Sequence, residues 1–170
     1  ACVGLGGIPV YDFCDAWGID FAGPFKICNT DAEYLCVIID HATKWAWALP
    51  TTSCGTTDAL GALVQAVLSA GTIPSRLFSD RGAYTSGDLY IKLLHRFGID
   101  KARACSYSPT GDSHVESWVK NVKRLLRKAC QDHPGSWDVA APWAAFSYNQ
   151  SYNFTIGYGF SRNLRPSTWT

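Results

Sequence analysis

The pattern of apolar residues changes once along the chain, and this change constrains the fold more than any other feature. Three short apolar runs come first, each bounded by turn-forming residues: WGIDFAG at 17–23, YLCVIID at 34–40 and KWAWALP at 44–50. Runs of this length are typical of β-strands, and the short connections favour pairing of consecutive strands. We therefore expect an antiparallel three-stranded meander before the first helix.

A helical period follows the third run. With Thr56 or Thr57 as the N-cap and Gly71 as the stop, the segment carries apolar residues at i, i+3, i+4, i+7 and i+8. These residues are Leu60, Leu63, Val64, Val67 and Leu68. The segment is predicted to be a helix that packs on the sheet.

In the rest of the chain, patterns typical of strands alternate with patterns typical of helices. A strand is predicted at 75–80, a helix at 86–98, a strand at 101–106, a long helix within 108–128 and a final helix from about Ser136. The order βββαβαβα predicts an α/β fold: a mixed five-stranded sheet covered by helices. At 170 residues the chain is expected to form a single domain over 1–170.

Composition narrows the class of protein. The chain has no run of 18 uncharged apolar residues, and its first ten residues lack a charged n-region, so we expect neither a membrane protein nor a secreted one. Seven cysteines include no C-x-x-C pair, which argues against a zinc site, and Cys36 is predicted to be a plain buried thiol. These features favour an intracellular protein.

Charge is divided unevenly along the chain. Residues 1–75 carry two lysines and seven acids, a net −5, whereas residues 76–170 carry thirteen basic and seven acidic residues, a net +6. Many of these cations follow Glu116 in the stretch 108–128, SPTGDSHVESWVKNVKRLLRK. Such clustering is expected of a surface that contacts phosphates.

The same stretch is amphipathic if it is helical. One stripe is apolar: Val115, Val119, Val122, Leu126 and Ala129. The neighbouring stripe begins with Glu116 and continues with cations, so this acid lies at the edge of the buried face. Taken alone, the stretch favours the plainer interpretation: an acid stabilised by the helix dipole, followed by cations on a solvated flank.

Three stretches resemble the motifs of one family. WGIDFAGP resembles W-x-x-D-F-x-G-P, YLCVIIDHATKWAWALP resembles two strands joined by a D-x-x-[ST]-[KR]-W turn, and IPSRLFSDRG resembles P-x-x-[IL]-x-[ST]-D-x-G. Between Asp80 and Glu116 lie 35 residues (116 − 80 − 1), which is the family's D,D-35-E spacing. The chain thus resembles, along nearly its whole length, the catalytic core of retroviral and LTR-retrotransposon (Gypsy-like) integrases within the RNase H-like superfamily.

The resemblance implies an enzyme that transfers polynucleotides: an integrase core performing 3′-end processing and strand transfer of element DNA. Asp20, Asp80 and Glu116 would be the catalytic acids and the ligands of two Mg²⁺ or Mn²⁺ ions, Asp20 bridging both ions and the other two holding one each. Carboxylates suit such hard cations, and paired ions suit phosphodiester chemistry.

The resemblance also implies partners. Element ends and target DNA would be gripped by residues in and after the loop before Glu116: Tyr107, Lys120, Lys123, Arg124 and Arg127. We expect a homo-oligomer located in the nucleus or in a virus-like particle. The family's N-terminal zinc-binding domain and C-terminal DNA-binding domain are expected to be absent from this chain.

Departures from the family pattern keep two alternatives open. Val119 stands where many members have Asn, and DRGAYTS after Phe78–Ser79 is one residue shorter than D-x-G-x-x-[FY]-x-S. The first alternative is a domesticated or decayed integrase that acts as a DNA- or protein-binding module. The second is a DDE transposase or RNase H-type nuclease, against which the D-x-x-[ST]-[KR]-W turn and the spacing of 35 argue.

Other polar residues receive plainer interpretations. His114 is predicted to belong to a loop or helix cap, Asp40 to a turn, and His95 and His133 to the surface. Trp118 falls on the exposed side of the long helix, where an interface contact and a DNA stack are both open.

Overall fold

The computed structural model describes most of the predicted sheet and its helices. It covers residues 14–25, 30–79, 87–103, 124–128, 131–132, 135–150, 152–153 and 158–159. The main sheet has five strands: β1 Ala16–Ala22, β2 Tyr34–Asp40, β3 Ala46–Thr51, β4 Arg76–Ser79 and β5 Asp100–Arg103. Two short strands, β6 Tyr152–Asn153 and β7 Tyr158–Gly159, pair separately.

Strand order in the main sheet is β3-β2-β1-β4-β5. The first three strands form the predicted antiparallel meander, while β4 pairs parallel to β1 and β5 parallel to β4. The predicted mixed five-stranded sheet is therefore confirmed. Its first strand in sequence lies at its centre, and both neighbours of β1 can bring residues to it.

Three helices are complete in the described residues: α1 Thr56–Ala70, α2 Asp88–Arg96 and α3 Trp137–Gln150. Residues 124–128 and 131–132 are also helical. Gly71 ends α1 as predicted, with a left-handed φ of 69° and an N–H that donates to the Val67 carbonyl. Among the described residues, no helix has both the length and the apolar character needed to cross a bilayer.

One face of the sheet packs on α1 and α2. Trp17 and Ile19 of β1, Cys36 and Ile38 of β2, and Leu77 of β4 are buried there, together with α1 and α2 residues such as Leu63 and Tyr90. Cys36 is the buried thiol that was predicted, and burial raises its pKa. We call this side the first face.

The buried side of α1 differs from the predicted one. Leu60 and Leu63 are buried, but Val64 is 39% exposed and Leu68 75% exposed, and the remaining buried positions are three alanines: Ala59, Ala62 and Ala66. Small alanines let the helix axis approach the large sheet residues closely, so the helix is rotated toward them. From hydropathy alone, the larger side chains Val64 and Leu68 were expected on the buried side.

The opposite side of the sheet, the second face, packs on α3 and on Leu126. Its core consists of Ala22, Leu35, Val37, Ile39, Ala46, Ala48, Leu126, Trp137, Ala141 and Ala145. Asn149 of α3 is buried and binds the edge strand twice: its Oδ1 accepts from the Ala46 N–H at 2.8 Å, and its Nδ2 donates to the Ala46 carbonyl at 2.8 Å. This amide supplies hydrogen bonds to β3, which is an edge strand among the described residues.

The third strand begins later than predicted. Lys44, expected at its start, lies in the preceding turn with a φ of 64°, and β3 begins at Ala46. A residue with a left-handed backbone conformation cannot continue a β-strand, so Lys44 belongs to the turn.

Candidate functional site

Asp20 lies near the carboxyl end of the central strand, on the second face. In β1 the residues on either side of it, Ile19 and Phe21, pack into the core of the first face, and its antiparallel partner Val37 belongs to the core of the second. The Asp20 carboxylate is half-buried, and its Oδ1 accepts a hydrogen bond from the Phe21 N–H at 2.7 Å. A partly solvated carboxylate at this position can carry its charge and reach a ligand above the sheet.

The neighbouring strand β4 ends beside Asp20. Because β4 is parallel to β1, Gly18 pairs with Phe78 and Ile19 pairs with Ser79. Asp80 is the next residue of the chain, and it lies outside the described residues. Glu116, the third predicted acid, also lies outside them, so the expected convergence of the three carboxylates stays a prediction.

The predicted DNA-contacting residues divide in the same way. Arg124 and Arg127 are exposed in the helical segment 124–128, whereas Tyr107, Lys120 and Lys123 lie outside the described residues. Leu126, between the two arginines, is 1% exposed and belongs to the core of the second face. The segment is thus anchored on the same side of the sheet as Asp20, and its cations meet solvent.

The turn between β2 and β3 confirms the interpretation of Asp40. This residue is fully buried, and its Oδ2 accepts from the Thr43 N–H at 2.9 Å and from the Thr43 hydroxyl at 2.5 Å. The Lys44 N–H donates to the Asp40 carbonyl at 2.9 Å. These bonds are those of a side-chain-stabilised turn.

His41 is a residue that the sequence patterns did not single out. Its ring stacks on Phe78 with centroids 5.0 Å apart and planes 11° from parallel. Burial, and secondly the charge of Lys44, lower its pKa from 6.5 to about 4, so the ring is neutral near pH 7. The available signal was Gly18, two residues before Asp20, where a glycine inside a strand marks close approach by another group.

Outside the predicted acids, the part of the chain that the structure describes offers no alternative metal centre: it contains no group of three His, Cys, Asp or Glu residues placed to hold an ion together. His95, predicted to be a surface residue, is exposed, while His114, Trp118 and His133 lie outside the described residues.

Comparison with protein families gives a match over the region that holds β1 to β5. Residues 14–109 match the model of the integrase core domain. The chain belongs to the integrase core domain family. The resemblance found in the motifs is thereby confirmed.

Individual relatives agree with this membership. The chain is 26% identical over 134 residues to the Gypsy retrotransposon integrase-like protein 1 of Mus musculus, covering 79% of this chain and 26% of that protein. It is 28% identical over 129 residues to the Gag-Pol polyprotein of Koala retrovirus, covering 75% of this chain and 8% of the polyprotein. The chain thus spans about a quarter of the length of the first and less than a tenth of the second.

Solved structures show the same integrase-core, RNase H-like fold. A chain of the simian T-cell lymphotropic virus intasome in complex with the PP2A regulatory subunit B56 gamma matches with a TM-score of 0.74 at 22% identity, over 97% of this chain and 60% of that one. The HTLV-2 integrase catalytic core domain in complex with magnesium (trimeric form) matches with a TM-score of 0.67 at 18% identity, over 88% and 95%.

Proposed function

We propose that this chain is the catalytic core of an integrase, a polynucleotidyl transferase that trims the 3′ ends of element DNA and joins them to target DNA. The register of β1 and β4 carries the proposal: Ile19 pairs with Ser79, and in the sequence each of these residues is followed by an aspartate, Asp20 and Asp80. Parallel strands keep successive positions level, which favours a shared site for these two carboxylates. Family membership and the 35-residue spacing add Glu116 as the third acid.

Two Mg²⁺ or Mn²⁺ ions would be held by Asp20, Asp80 and Glu116. The half-exposed carboxylate of Asp20 fits this role, since hard divalent cations prefer anionic oxygen ligands. When bound, such ions activate the attacking oxygen and stabilise the leaving oxygen. The HTLV-2 core, a protein of the same fold, is a complex with magnesium.

Two displacements on phosphorus would follow one another at this site. In trimming, a water oxygen forms a bond to phosphorus and the bond to the 3′ oxygen breaks, leaving a 3′-hydroxyl on the element strand. In joining, that hydroxyl attacks a target phosphodiester, and the 3′ oxygen of the target strand leaves. The acids and the exposed cations of segment 124–128 would position the two strands for these steps.

Self-association is part of the proposal. The helix α3 exposes an apolar row, Val139, Trp143 and Phe146, in which the rings of Trp143 and Phe146 meet edge to face at 5.9 Å. The spacing of 4 and 3 residues puts the row on one side of the helix. Sedimentation velocity should show a dimer or larger species that Trp143→Glu dissociates. Location in the nucleus or in a virus-like particle stays a prediction.

Catalysis is tested on the 170-residue chain with a branched oligonucleotide that mimics a joined product, whose resolution needs the three acids. We expect cleavage and rejoining in Mg²⁺ or Mn²⁺ and none in EDTA. Asp80→Asn should reduce the rate by about 1,000-fold or more, because it removes an anionic ligand and keeps the side-chain shape. DNA affinity should stay the same or rise slightly.

Asp88→Asn is the matched control, since Asp88 is exposed in the first turn of α2, a helix that packs on the first face. It should keep full activity. If the wild-type chain binds DNA without any metal-dependent strand transfer, and Asp80→Asn changes nothing, the chain is a binding module that has kept the fold.

A further inference from the structure

The turn after β2 holds one residue, His41, in a defined backbone position. The preceding Asp40 is tied to Thr43 by two hydrogen bonds, and the Lys44 ammonium donates to the His41 carbonyl at 2.6 Å. The His41 N–H donates to the Ala16 carbonyl of β1 at 2.8 Å. The backbone of His41 is therefore fixed against the start of the central strand.

From that position the imidazole crosses β1 and reaches β4. A Cβ at Gly18 would lie 2.9 Å from the His41 Nε2, so the absence of a side chain at Gly18 leaves the space that the ring occupies. Beyond Gly18 the ring stacks on Phe78 of β4, with centroids 5.0 Å apart. One side chain thus spans three strands in the order β2, β1, β4.

This crossing lies one row before the predicted acids. Gly18 and Phe78 pair with each other, Asp20 follows Gly18 by two positions, and Asp80 follows Phe78 by two positions. Residues two apart in a strand lie about 6.6 Å apart on the same face. The ring therefore braces β1 against β4 next to the place where the two carboxylates are expected to share ions.

We propose that His41 is a positioning residue: its ring, laid over Gly18 against Phe78, holds the ends of β1 and β4 at a fixed separation beside Asp20, the carboxylate that we propose binds metal. The proposal rests on the proposed function. Carboxylates that share ions repel one another before metal is bound, and a rigid brace beside Asp20 reduces the rearrangement that binding requires. The planar ring does this by stacking; its nitrogens are not required as ligands.

The test is Mn²⁺ binding to the 170-residue chain without DNA, followed by electron paramagnetic resonance, together with strand transfer as a function of Mn²⁺ concentration. Binding that is lost in Asp20→Asn defines the site. His41→Ala should weaken this binding by about 10-fold, within the range seen when groups that orient metal ligands are removed. The half-saturating Mn²⁺ concentration should rise by a similar factor, with the rate at saturating Mn²⁺ nearly unchanged.

Two further variants separate the brace from other roles of the residue. His41→Phe keeps a flat ring that can stack on Phe78, so it should retain nearly wild-type Mn²⁺ binding. Gly18→Ala keeps the histidine but displaces its ring, so it should behave like His41→Ala. Should His41→Ala fail to fold, His41→Leu replaces it, since leucine fills the space without a planar face.

Trp47→Leu is the control for general destabilisation. Trp47 of β3 contacts Trp17 of β1 at 4.7 Å between centroids, so it also joins the central strand to another strand across β2, but on the first face. It should lower the melting temperature and leave Mn²⁺ binding unchanged.

Wild-type binding in His41→Ala, a loss in His41→Phe as large as in His41→Ala, or an equal loss in Trp47→Leu would each overturn the inference. If the wild-type chain catalyses strand transfer in any of these cases, the proposed function stands and only the brace is wrong. A wild-type chain without Asp20-dependent Mn²⁺ binding would overturn both.

Discussion

The two faces of the sheet carry different side chains on the same central strand. Toward the first face, β1 directs Trp17, Ile19 and Phe21 against α1 and α2. Toward the second face it presents Gly18, Asp20 and Ala22. The large apolar side chains stabilise the packing on the first face, while the small and polar ones leave room on the second for the His41 ring and the Asp20 carboxylate.

We expect side chains on the first face to contribute most to the free energy of unfolding. Leu63→Ala should lower the free energy of unfolding by about 3 kcal/mol, because it removes a side chain that is 2% exposed and leaves a cavity against the sheet. Leu68→Ala is the matched control on the same helix, since Leu68 is 75% exposed; it should cost less than about 0.5 kcal/mol. Denaturant titrations of both variants give the difference, and equal losses would contradict the assigned packing of α1.

On the second face the largest stability effect is expected at Asn149. Asn149→Ala should cost about 2 kcal/mol, because the Ala46 N–H and carbonyl lose their partners inside the protein. Gln150→Ala, an exposed neighbour in the same helix, should be close to neutral. Urea titration measures both, and hydrogen exchange should become faster at the Ala46 amide in the first variant alone. A slow Ala46 amide in Asn149→Ala would show that another group protects the edge strand.

The buried imidazole makes stability depend on pH. The pKa of His41 falls from 6.5 in the unfolded chain to about 4 in the folded protein, through burial and the nearby Lys44 charge. Between these values the unfolded chain binds a proton that the folded protein excludes, so the free energy of unfolding decreases as pH falls from 6.5 to 4. The loss should reach about 2 kcal/mol, allowing for solvent at the partly exposed ring.

His41→Phe should remove this part of the pH dependence while keeping the stacking on Phe78. Unfolding at several pH values measures both proteins under the same conditions. Parallel curves for wild type and variant would show that another group is responsible.

The smallest expected effect concerns the exposed cations. Replacing Arg124 and Arg127 by Ala should leave stability unchanged and reduce the slope of log affinity for DNA against log salt by up to about one per lost phosphate contact. Lys92→Ala with Arg96→Ala removes the same charge from α2, which covers the first face. That pair should leave the slope unchanged, and fluorescence anisotropy at several salt concentrations distinguishes the two. If both pairs of substitutions reduced the slope equally, DNA would not bind preferentially to the second face.

Much of the fold could be predicted from local patterns. The apolar run YLCVIID and the helical period after Thr56 indicated β2 and α1 within a residue or two, and the D-x-x-[ST]-[KR]-W turn correctly assigned Asp40. The rotation of α1 toward its alanines was missed, because hydropathy ranks side chains by size and the sheet selected the small ones. For the site, the motifs nominated Asp20, whereas His41 was missed: Gly18 indicated a close approach, but the sequence did not say which side chain makes it or that this ring stacks on Phe78.

By itself the sequence determined the strands of the main sheet, the helices α1 and α2, their order and the family, since these depend on periods of two and 3.6 residues and on short motifs. The tertiary structure decided which distant segments of the chain lie next to each other. It set β4 beside β1, and it brought Asn149 to Ala46 across 103 residues of chain. It also laid His41 over a glycine 23 positions earlier (41 − 18) in the chain. Such contacts arise only when the sheet closes, because each depends on the shape of surfaces assembled from distant segments.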